Sequence, residues 1–175
     1  MLGWRGYSRW EHYAMGSTLD PVIGQAPCDI IVVKSDEVDP ERKIDRILFP
    51  SRGRSPHEEM AIDIIRAIAT KLSAEVTVLH VAPRGSTDYD AEKTRDSIAD
   101  RMREIPYSVK IVESNDPVSA IVGESESNDL LVIGATDVGM FQRILFGSVP
   151  EMIARRCSKT VIMVKKRMKI RSWFL

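Results

Sequence analysis

Gly134 and the pair Gly147-Ser148 bracket a stretch that leads from an apolar run into a helix start. Glycines let a loop turn tightly and bring backbone N–H groups close to an anion. A Gly-Ser pair at a helix start adds N–H donors and the positive end of the helix dipole, which suit a phosphate. The N-terminus repeats the pattern as Gly3-x2-Gly6-x9-Gly16-Ser17. Such spacing serves a plain helix cap as well as a phosphate grip, and both readings stand. Arg52 and Arg54 flank Gly53 at the end of a second apolar run. Their guanidinium donors suit a phosphate or carboxylate, or simply water.

Other chemistry is thin. His12, His57 and His80 are scattered, and His57-Glu58 lacks the second histidine of a zinc-binding helix. No Ser/His/Asp or Cys/His constellation can be assembled, so the chain reads as a non-enzyme. Cys28 and Cys157 have no metal or redox spacing and read as free thiols of a reducing cytoplasm. Lys+Arg and Asp+Glu are equal at 25 each, so no overall attraction to nucleic acid is indicated. No apolar run approaches the roughly 20 residues that cross a bilayer. A cytoplasmic protein is expected, either free or at the cytoplasmic face of a membrane.

These residues need elements to hold them. From residue 43 onward, short apolar runs alternate with helical stretches. Strands are expected at 46–49, 75–81, 108–112, 130–134 and 160–164. Ser55, Pro56 and Glu58 read as a capping box opening a helix whose buried face carries Met60, Ile64, Ile65 and Ile68. A helix around 90–104 carries Ile98, Met102 and Ile105; Asp116-Pro117 caps a third, bearing Val118, Ile121 and Val122; Ser148 and Glu151 box a fourth. Apolar strands alternating with helices predict a parallel sheet covered on both faces.

Residues 2–34 also lie over 133–165 without a gap, at a constant offset of 131. Gly3 meets Gly134, Gly16 meets Gly147, Ser17 meets Ser148 and Lys34 meets Lys165. An offset of about one domain implies two copies of a unit, the first present only in part. The chain divides into a partial first copy at 1–34 (strand–helix–strand), a linker at 35–43, a complete α/β domain at 44–166 and a basic, aromatic tail at 167–175.

The five-strand pattern, the loop after strand four and the ending GSVPEMIARR…TVIMVKK together resemble the universal stress protein family. The tandem arrangement looks like the paired domains of this family at the cytoplasmic ends of some amino-acid transporters and antiporters. The resemblance implies a five-stranded parallel sheet of order 3-2-1-4-5, of the adenine nucleotide alpha hydrolase type. It implies ATP or AMP, with Mg²⁺ as a candidate companion, in the crevice between strands one and four, where such sheets bind ligands. Carried over, Pro50 and Ser51 end strand one and Val81 ends strand two beside the base. Gly134 is the first loop glycine, and Gly147, Ser148 and Val149 form the phosphate-gripping end. Gly3, Gly6, Gly16 and Ser17 are the partial copy's counterparts.

Two positions depart from the family pattern. Asp137 replaces the middle glycine, with Gly139 two places late, and its carboxylate repels a phosphate unless a cation or Arg52 neutralises it. Arg52 stands where an adenine-contacting aspartate is expected and offers only donors. A non-binding interaction domain, docking on a membrane transporter, is therefore the alternative function. The resemblance further implies a homodimer through the last strand. Residues 30–33 are candidates to pair with 161–164, within one chain or between two.

Overall fold

The apolar runs become strands and the capped stretches become helices. A computed structural model describes residues 1–4, 19–35, 43–53, 55–85, 91–135 and 148–167. In chain order the elements are β1 (Leu2–Trp4), α1 (Leu19–Gln25), β2 (Ile30–Lys34), β3 (Arg46–Pro50), α2 (Pro56–Leu72), β4 (Glu75–Ala82), α3 (Ala91–Arg101), β5 (Tyr107–Glu113), α4 (Pro117–Ser125), β6 (Leu130–Gly134), α5 (Ser148–Arg156) and β7 (Thr160–Lys165).

Among the described residues one sheet of seven strands runs β1-β2-β7-β6-β3-β4-β5, which corrects the expected sheet of five. The strands within residues 46–165 form the contiguous run β7-β6-β3-β4-β5, and β2 and β1, from the segment read as a partial copy, extend it beyond β7. Every neighbouring pair is parallel except β2 and β7. The extension has a physical cause. β7 would otherwise leave a row of unpaired backbone groups along an apolar edge. β2 fills it antiparallel, from Ile30 opposite Lys165 to Lys34 opposite Val161. The edge expected to make a homodimer is thus closed within the chain, with β6 on one side and β2 on the other.

Chain length permits this. Lys34 aligns through Val161 and Leu131 with Leu48, about 14 Å away across three strand spacings. Fully extended, the segment 35–45 spans up to ~36 Å. Two polar ties close the seam. Lys34, buried at 3% exposure, donates from Nζ to the Cys157 carbonyl at 2.7 Å, a cation at the negative end of α5. The Arg167 amide donates to the Asp29 carboxylate and its guanidinium to the Pro27 carbonyl. At the end of β7, burial draws the Lys165 ammonium below its ordinary range, and Glu151 partly opposes this.

Two apolar cores lie on opposite faces of the sheet. One joins Leu48, Leu79, Leu131, Val161 and Met163 to α4, α5 and the partial copy's Trp4, Ile23 and Val32. The other joins Ile47, Phe49, Val76, Val78 and Val132 to α2 and α3. The buried stripe of α2 is Ala61, Ile62, Ile65 and Ala69. Met60, Ile64 and Ile68, expected on the buried face, flank it half-buried and pack against the same core. The alanines bring the helix axis close to the sheet and push the larger side chains to the sides.

Two of the expected caps form. Ser55 caps α2 by accepting from the Glu58 amide. Asp116 caps α4 by accepting from the Ser119 amide and hydroxyl, and these bonds hold its carboxyl below the usual aspartate range. Glu58, expected to complete the α2 capping box, turns its carboxylate elsewhere. Among the described residues no helix is long and apolar enough to cross a membrane.

Candidate functional site at the carboxyl ends of β3 and β6

β3 is followed by β4 on one side, whereas its other neighbour, β6, leads on to β7. Chain direction across the sheet reverses between them, and an open parallel sheet binds ligands outside such a point. Pro50 ends β3 and Gly134 ends β6, so these two expected residues border the crevice.

The loop after β3 is built from inside. The Ser51 amide donates to the Leu79 carbonyl at 2.9 Å, carrying the ladder one step past Pro50. Ser51 is buried, and its Oγ donates to Glu58 Oε2 at 2.7 Å. The Arg52 amide donates to Glu58 Oε1 at 2.9 Å. Arg101, from the end of α3, completes the set. Its Nη1 donates to Glu58 Oε2 and to the Gly53 carbonyl, and its Nη2 to Ser51 Oγ, each at 3.0 Å. His80 Nδ1 lies 3.0 Å from the Ser51 carbonyl, an acceptor only, so Nδ1 carries the proton. Gly53 turns the loop at φ +142°, a region suited to glycine. The Glu58 and Arg101 side chains are 10% and 5% exposed, so this is a buried ion pair with hydrogen bonds on both partners.

Gly134 has a reason of its own to be glycine. A Cβ there would stand 3.2 Å from the Glu58 nitrogen and the His57 carbonyl carbon, backbone atoms at the start of α2. Gly3, its repeat counterpart, has nothing within 4 Å of the same position. The difference follows from topology, because no helix like α2 stands over β1 among the described residues. Gly134→Val is expected to cost about 1–3 kcal/mol. Gly3→Val should stay within about 0.5 kcal/mol of the parent. Urea denaturation of the two variants checks this.

The remaining expected residues divide. Arg52 has an exposed side chain above its anchored amide. Val81 is half-buried on β4, on the face that packs α4 and α5. Ser148 opens α5 and Val149 packs partly buried beside it. Gly6, Gly16, Ser17, Asp137, Gly139, Gly147 and Arg54 lie outside the described residues. The structure thus brings Pro50, Ser51, Arg52 and Gly134 to one place. It adds Glu58, Arg101 and His80, which sequence reasoning missed. Glu58 was assigned to a capping box. Arg101 is 43 residues from Glu58, with no local pattern marking the pair. Among the described residues no group of three His, Cys, Asp or Glu side chains could hold a metal ion.

Glu58, the carboxylate at the loop, is neutralised by Arg101, and Arg52 offers an exposed cation beside it. Known proteins agree with the architecture. The universal stress protein Rv2623 of Mycobacterium tuberculosis is 24% identical over 181 residues, spanning 95% of this chain and 61% of that protein. The chain thus spans about 60% of the length of such relatives. A universal stress protein structure from Archaeoglobus fulgidus superposes with TM-score 0.68 at 24% identity, covering 94% of this chain and 59% of that one. Another from the same organism, in complex with dAMP, superposes with TM-score 0.57 at 21% identity, covering 69% of this chain and 97% of that one. The model of the universal stress protein family matches residues 43–165, and the chain belongs to that family.

Proposed function

We propose that this chain is a non-enzymatic regulatory module that binds AMP or ATP at the crevice between β3 and β6. The observation that carries the reading is the loop 51–53, held in shape at the switch point of a parallel sheet. A family structure of the same fold in complex with dAMP supports the adenine nucleotide as ligand. Pro50, Ser51, Arg52 and Gly134 would border the nucleotide. The exposed Arg52 guanidinium supplies donors to a phosphate and attracts its charge. The proposal extends to a cytoplasmic setting and to regulation of a membrane transporter, supported by the tandem arrangement of the sequence. Dimerisation through β7 requires that a second chain's β2 or β7 replace the chain's own β2.

Ligand-linked stabilisation tests the reading. AMP or ATP at about 100 times its dissociation constant adds ~2.7 kcal/mol. That raises the melting temperature of a chain this size by roughly 5–10 °C. No shift with millimolar AMP, ATP or ATP with Mg²⁺ overturns the binding half of the proposal. One observation favours the second reading, an interaction domain without nucleotide. Ser51 Oγ, the Arg52 amide and the Gly53 carbonyl already have protein partners, and Arg52 cannot accept from an adenine amino group.

A further inference from the structure

We propose that Arg101 is a positioning residue for the crevice: acting through Glu58 and Ser51, it sets the shape of the loop 51–53 and thereby the affinity for the ligand. The inference rests on the nucleotide-binding reading above and assigns it a residue remote in sequence.

The bonding pattern of the guanidinium carries the argument. Nε donates to the Ser97 carbonyl, which fixes the side chain to its own helix end. The outer nitrogens reach Glu58, Ser51 and Gly53. Glu58 in turn holds the Ser51 hydroxyl and the Arg52 amide. Each residue of the loop is therefore gripped by a directed bond that traces back to one ion pair. Desolvation offsets most of the attraction in a buried pair, so apolar side chains of similar volume would forfeit little of the pair's own stabilisation. They would leave the loop carbonyl, amide and hydroxyl without partners. What the pair provides over an apolar filling is geometry, imposed on backbone at the mouth of the crevice. A planar guanidinium with fixed donor directions suits that task; an ammonium does not.

The test uses the full chain with three variants: Arg101→Met, Arg101→Lys, and Arg101→Met combined with Glu58→Met. Two quantities are read. Hydrogen exchange of the Arg52 amide is compared with the Val78 amide in the core, and AMP affinity is measured by calorimetry. Arg101→Met should speed Arg52 exchange at least about tenfold relative to Val78 and weaken AMP about tenfold. Arg101→Lys should fall between Met and the parent, and it carries the test if Arg101→Met does not fold. The double variant should melt well above Arg101→Met yet bind AMP just as weakly, a separation that a merely stabilising pair would not produce. The proposal is overturned if Arg52 stays protected in both single variants, or if the double variant regains AMP affinity along with its stability. Should the parent bind no AMP, the nucleotide reading falls, and Arg52 exchange alone decides whether Arg101 positions the loop.

Discussion

Val32→Asp detaches the partial copy from the sheet while the rest of the chain stays folded. Val32 is fully buried in the core beneath β2 and sits opposite Met163 in the seam. A carboxylate there enters an apolar core whose neighbouring cation on the same strand face, Lys34, is already bonded to the Cys157 carbonyl, at an expected cost of roughly 4–5 kcal/mol. The five residue pairs of the β2–β7 seam cannot offset this. The remaining strands keep their own ladders and the second core, which contains no residue of the partial copy. Two signals should appear together. The amides of 30–34 should exchange rapidly while those of β3 and β4 remain protected. The bared β7 should then recruit a second chain, doubling the mass seen by light scattering. A single cooperative loss of all protection would contradict the separation of the two parts.

Glu58→Ala should be the most damaging change at the crevice itself. It leaves the Arg101 guanidinium buried without its counter-charge and removes the acceptor of the Ser51 hydroxyl and the Arg52 amide. Breaking a buried pair from one side typically costs about 3–5 kcal/mol. Adding Arg101→Met should recover most of that loss, because the stranded charge goes with it. Urea denaturation of the single and double variants measures the coupling. Equal, additive losses would show that the two side chains act independently.

Much of the fold could be read from the sequence because its signals are local. Ser55-Pro56 and Asp116-Pro117 set two helix starts through caps that act within three residues. The strands at 75–82 and 130–134 are apolar runs buried on a covered sheet. The internal repeat identified the strand that would seek β7. What remained hidden depends on contacts distant in sequence. The helical period marks the core-facing side of α2, but not that Ala61, Ile62 and Ala69 are buried more deeply than Met60, Ile64 and Ile68. At the site, Pro50 and Gly134 were legible as strand ends. The Glu58–Arg101 pair was not, since nothing near either residue announces a partner on another helix. Gly134 shows a subtler limit. Its glycine was read as serving a phosphate, and the start of α2 already explains it.

The antiparallel seam also has a consequence for synthesis. Lys34 and its Cys157 carbonyl are 123 residues apart, and Arg167 is 138 from Asp29. A ribosome adding about 5–20 residues per second needs roughly 6–30 s to make that interval. For most of it, β2 has left the tunnel while its antiparallel partner has not. β2 is thus made well before the strand that completes it, and its apolar edge stays open until β7 emerges. Such an edge is what holdase chaperones bind.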